Sequence, residues 1–172
     1  MASLMENIIS ILNRENEEYE ALIKLSEEKT PIIIKGDLPE LERVTEQEQI
    51  IVGRIQKLEK DRIQTMKDIA DVTNHASEEL KVTDLITMMA TRPKEQDQLK
   101  EVHEKLRRTL GNMSIVNERN RELLQDSLDM VRFEMNLLQS LKQAPETADY
   151  NRDAYSVGSI MGSGTKKFDA KQ

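Results

Sequence analysis

The chain has 172 residues, of which 33% are charged and 37% hydrophobic, and it contains no cysteine and no tryptophan. That is the size of one domain with apolar side chains for one modest seam, and the composition is that of a soluble, helix-rich or coiled-coil-like protein. A net charge of −7 with no strongly basic segment argues against nucleic acid as a partner, and the lack of Cys excludes a disulfide or Cys–metal framework.

The start, MASLMENIISIL, places no Lys or Arg before its apolar residues and runs directly into NRENEEYE, which is not the build of a secretory signal. The longest uncharged apolar stretch, LITMMA, is far short of the roughly 20 residues a membrane span needs. A cytoplasmic location without membrane insertion is therefore expected.

The first helix is expected over 3–34. Ser3 and Glu6 form a capping box at its start. Leu4, Ile8, Ile11 or Leu12, Tyr19, Leu22, Leu25 and Ile32 form its apolar stripe, with Glu15, Glu17, Glu18 and Glu20 on the opposite side. Pro31 predicts a kink or an end near Thr30. Gly36 then suits a left-handed helix terminus, and Asp37 with Glu40 forms a second capping box around Pro39.

A second helix is expected over 38–74. Leu41, Val44, Glu48, Ile51, Ile55, Leu58, Arg62, Thr65, Ile69 and Val72 alternate in steps of three and four, the seam of a coiled coil. The pattern fades over TNHASEELK, TDLITMMA reads as a short capped helical turn, and Pro93 suits the first turn of a last helix over 93–142. There Leu99, Val102, Leu106, Leu110, Met113, Asn117, Asn120, Leu124, Ser127, Val131, Glu134, Leu138 and Leu141 continue the seam. The predicted shared core comprises Leu41, Ile51, Ile55, Leu58, Leu106, Met113 and Leu124. Such stripes must be covered, and the short KGD link forces the first two helices antiparallel. The expected fold is all-α: an elongated antiparallel helical bundle or coiled-coil hairpin over 1–143, followed by a disordered Gly/Ser-rich tail over 144–172.

The chain carries no motif for catalysis. Neither His75 nor His103 has a Glu three positions before it, HEKLR lacks the second His of a zinc-protease helix, and GSGTKK has no Ser or Thr after its lysine and no preceding strand. No cofactor or metal is expected. Glu17 and Glu20 are close enough for acid–base work but read as a solvated face. Asn117 and Asn120 are polar residues in a seam, where they fix register and partner choice at a cost in stability. Leu85, Met88 and Met89 read as core filler, with an accessory client groove as the alternative.

YEALIKLSEEKTPIIIKGDLPELERVTEQEQIIVGRIQKLEKDR, the later NERNRELLQDSL, and a tail containing DYN and closing on KFDAKQ resemble the FlgN family of flagellar export chaperones. The resemblance covers nearly the whole chain and rests on the order and spacing of weak words. It implies a cytoplasmic chaperone for hook-associated proteins, whose helical C-terminal segments it would shield from premature assembly and deliver to the flagellar type III export gate and ATPase complex. The client is expected against Leu123, Met130, Val131, Leu137 and Leu138, where the last helix carries more apolar residues than one seam needs. Tyr150, Tyr155 and Phe168, three of the five aromatic residues, are then expected to dock the tail on the export apparatus. The rival reading is a structural coiled-coil adaptor or tether without chaperone activity.

Overall fold

The computed structural model describes residues 2–74 and 80–143, and all regular structure among them is helical. Helix α1 spans Ala2–Lys35, α2 Leu38–Thr73, α3 Val82–Met88 and α4 Pro93–Gln143, with a 3₁₀ turn at Met89–Thr91 between the last two. The expected bundle is present. Two compact units are distinguished, Met1–Val131 and Arg132–Gln172, and the described part of the second is the last stretch of α4.

Helix α1 begins at Ala2, so Ser3 lies inside it rather than capping it. Pro31 does not end it either: the helix continues to Lys35. A proline removes the hydrogen bond to the carbonyl four residues back, and here Glu27 and Pro31 are both exposed, so water can take that carbonyl. The actual stop is Gly36, at φ +69, where the Gly36 N–H donates to Ile33 O at 3.1 Å and the Asp37 N–H to Ile32 O at 3.3 Å. This is a Schellman closure, and only glycine adopts that φ without strain. Helix α2 then starts as expected. Asp37 Oδ1 accepts from the Glu40 N–H at 3.2 Å and Pro39 lies in the first turn, but the Glu40 carboxylate pairs with Arg43 instead of completing the box. Asn74, at φ 57, closes α2.

Cross-helix pairs fix the directions. Asn7 meets Thr65, Glu15 meets Arg62 and Ser26 meets Glu48, so α1 and α2 are antiparallel. Asn16 meets Thr109 and Thr30 meets Asn120, so α4 runs parallel to α1. Helix α2 thus ends beside the start of α1, α3 and the 3₁₀ turn pack at that same end, and Gln96 Nε2 fastens the start of α4 to Ile86 O at 2.7 Å.

The main core lies at that end: Met5, Ile8 and Leu12 pack with Met66, Ile69, Leu85, Met89, Leu99, Val102 and Leu106. Farther along, Leu22, Ile51, Ile55 and Met113 form a smaller cluster. Of the predicted core, Ile51, Ile55, Leu58, Leu106 and Met113 are buried, while Leu41 and Leu124 are half-buried. In α1 the buried residue near the turn is Ile33 rather than Ile32, because continuing through Pro31 keeps the stripe turning.

Polar layers separate the apolar ones. Asn16 accepts from the Thr109 hydroxyl at 2.7 Å and donates to Glu20 at 2.8 Å. Asn120 Nδ2 donates to Ser26 O at 2.6 Å, while its Oδ1 accepts from the Thr30 hydroxyl at 2.7 Å. Ser26 and Lys29 both reach Glu48. Among the described residues, every fully buried side-chain nitrogen or oxygen has a partner. Buried polar groups held this way cost little and tie one helix level to another, because a slip would strand them. Glu15 departs from its expected place on the solvated face: it is buried against Arg62, Nε to Oε1 3.0 Å. Burial pushes its pKa above the ordinary carboxylate value, and the guanidinium only partly opposes this.

Candidate functional site

The C-terminal part of α4 has a composition that the upstream bundle does not explain. Up to Asn120, its buried residues recur at Leu99, Val102, Leu106, Thr109 and Met113. Leu123 and Leu124 are half-buried. In the first unit Leu128, Met130 and Val131 are then exposed, and in the second so are Phe133, Met135, Leu137, Leu138 and Leu141, with Met130 64% and Phe133 67% accessible. Isolated exposed leucines are ordinary on a protein surface, whereas here large exposed apolar side chains recur over successive turns of one helix.

The hydroxyls in this stretch do not compete for partners. Ser127 Oγ donates to Leu123 O at 2.8 Å and Ser140 Oγ to Asn136 O at 2.9 Å, both folded back on the helix backbone. What remains outward is apolar surface edged by charges. All five client residues expected from the sequence, Leu123, Met130, Val131, Leu137 and Leu138, lie on this stretch, the first half-buried and the other four exposed. Leu128, Phe133 and Met135 are equally exposed and were missed by the seam pattern. The signal for Leu128 and Met135 was their three-four spacing with Val131 and Leu138, and that for Phe133 its three-four spacing with Met130, Leu137 and Leu141.

The other sequence candidates fall elsewhere. Leu85 and Met89 are buried in the main core and Met88 packs against it, so these three are filler and present no groove. Asn120 is buried and bonded to α1, whereas Asn117 is exposed, so the seam has one register-setting asparagine there. Tyr150, Tyr155, Phe168 and His75 lie outside the described residues. His103 lines a cavity of 340 Å³ with Leu12, Glu15, Tyr19, Arg62 and Leu106. Tyr19 there has its phenol pKa raised, first by burial and then by the neighbouring Glu15.

Glu17 and Glu20 do line a groove, of 540 Å³, together with Lys24, Ile50 and Arg54. The Glu20 carboxyl is held below its ordinary range by hydrogen bonds from Asn16 and Lys105, which makes it a poor proton donor. Among the described residues no group of three His, Cys, Asp or Glu is placed to hold a metal, and no helix is long and apolar enough to cross a membrane.

A family model described as FlgN protein matches residues 1–155. An uncharacterized protein of Bacillus subtilis (strain 168), YvyG, is 30% identical over 131 residues, which covers 76% of this chain and 78% of that protein. No solved structure matches.

Proposed function

Because the chain belongs to the FlgN family of flagellar export chaperones, we propose that it binds the C-terminal helical segments of hook-associated proteins in the cytoplasm, keeps them from assembling early and hands them to the flagellar type III export gate and ATPase complex. Residues 1–143 form the chaperone part and 144–172 the tail. The observation that carries this reading is the run of exposed apolar side chains on α4 from Leu128 to Leu141. Client termini of this kind have apolar helical faces that find partners only on assembly. An amphipathic helix laid along another helix's apolar face is the recognition mode that fits such a surface. Leu123, Met130, Val131, Leu137 and Leu138 make the contact. Tyr150, Tyr155 and Phe168 on the tail engage the export apparatus, each a large, rigid side chain with few torsions to freeze. No step needs a catalytic residue or a cofactor.

Met130→Glu with Leu137→Glu tests the client site in the full chain, with capture of a C-terminal hook-associated fragment as readout. Capture should weaken by about tenfold or more while helicity by circular dichroism stays unchanged. Undiminished capture would move the site elsewhere. A structural tether remains the competing reading, since the same apolar run also suits self-pairing. A tether gives a stable homodimer at all working concentrations, a chaperone a defined complex with the client fragment.

A further inference from the structure

The apolar residues of α4 from the half-buried Leu123 and Leu124 to the exposed Leu141 do not form one stripe. At about 100° per residue, Leu124, Leu128, Val131, Met135 and Leu138 follow steps of four, three, four and three and share one line along the helix. Leu123, Met130, Phe133, Leu137 and Leu141 share another, centred about 130° around the axis from the first. Ser127 and Glu134 lie between the two lines, both exposed. A single docked helix covers a stripe about 100° wide, so one helix cannot cover both lines, and centred between them it would bury the Glu134 carboxylate.

Two helices fit better. Helices packed on α4 at an interaxial distance of about 9 Å, in directions about 130° apart, have axes roughly 16 Å from one another. They do not touch, and Glu134 stays in water between them. The lines begin at neighbouring residues and end within one turn of each other, so they match two helices of about the same length.

Charge distinguishes the two. The second line is bordered by Glu122 and Asp126 on one side and Glu134 on the other, all exposed, with no basic residue beside it from Leu123 to Leu141. The first line has Gln125, Arg132 and Gln139 along its edge and Lys142 at its end. We infer that one client molecule clasps the end of α4 between two amphipathic helices, a basic-edged helix on Met130, Phe133, Leu137 and Leu141, and a second on Leu128, Val131, Met135 and Leu138. This rests on the client reading above and specifies the kind of partner it requires.

The test titrates the full chain with a C-terminal hook-associated fragment and compares two double variants, Leu128→Gln with Met135→Gln and Phe133→Gln with Leu137→Gln. Glutamine is a good helix former, and circular dichroism checks that α4 persists. Each pair should weaken binding by about tenfold or more, and Glu122→Lys with Asp126→Lys should weaken it further as salt is lowered. If only one pair matters, a single helix docks: the clasp is overturned and the client reading stands. If neither matters, both are overturned. A chain that sediments as a dimer at the titration concentration, and is split to monomers by either pair, would show that a second copy occupies the lines and would also overturn the clasp.

Discussion

Asn120 offers the clearest test of how the helices are locked in register. It is 5% exposed, donates to Ser26 O at 2.6 Å and accepts from the Thr30 hydroxyl at 2.7 Å. Asn120→Ala removes both bonds across the α1–α4 interface. Ser26 O still has a partner in the Thr30 hydroxyl at 3.4 Å, so the penalty is that of two net hydrogen bonds without a fully stranded group. This comes to about 2 kcal/mol. For a chain of this size that lowers the melting temperature by about 6 °C. Thr30→Val should cost about 1 kcal/mol, and the double variant less than the sum by about 0.5 kcal/mol or more, because the two share one bond. Asn117→Ala, at an exposed position, should stay within about 0.5 kcal/mol of the parent. Thermal melts of the four variants decide the matter. If Asn120→Ala and Asn117→Ala melt together, or the cycle is strictly additive, Asn120 does not set the register.

Arg62→Met should destabilise by about 2 kcal/mol at neutral pH by leaving the buried Glu15 carboxylate without its guanidinium. Glu15 has a folded-state pKa above its unfolded value, so its contribution is fully present below the unfolded pKa and is lost as pH rises through the folded one. The Arg62→Met deficit should therefore shrink as pH falls into the carboxylate range, and a deficit independent of pH, measured by denaturant titration, would refute the assignment. Gly36→Ala should cost about 1 kcal/mol because its φ of +69 is strained for any side chain, whereas Gly53→Ala and Gly111→Ala, helical and with open space at the added Cβ, should each gain about 0.5 kcal/mol or more. Deleting 146–172 should leave the melting temperature nearly unchanged yet sharply reduce binding to the export gate, with Tyr150→Ala alone causing part of the loss; a large fall in melting temperature would assign the tail aromatics to the core.

The helix boundaries were legible because their signals are local: the Gly36 stop, the Asp37 cap, Pro93 and sustained three-four spacing all act within one or two turns. Glu15 was misplaced because its burial depends on Arg62, a residue 47 positions away that no periodicity connects to it. Of the kink or end that Pro31 announced, the end did not follow, for a related reason: whether the carbonyl it frees can face water is a property of the packed bundle. At the candidate site, the seam pattern ran through Ser127 and Glu134, polar positions flanked on both sides by apolar ones. Met130 and Leu137 were picked out as apolar residues in excess of that seam, while Phe133 and Leu128 were not, because one period does not separate the two lines.

The unequal division of the core gives the bundle a direction in time. Ten buried residues lock the end built from α3, the end of α2 and the starts of α1 and α4, while the four-residue cluster around Leu22 and Met113 lies farther along, toward the exposed turn at Lys35–Leu38. Amide hydrogens should exchange most slowly around Ile8, Ile69 and Val102 and fastest next to Gly36, since local opening follows the density of buried apolar contacts. Fraying that starts at the turn should free Asn120 from Ser26 before it frees Met113 from Leu22 and Ile51. An opening that reaches Met113 would uncover α4 backward from Leu124 past the polar Asn120, so the turn and the end of α4 would be coupled through the smaller cluster.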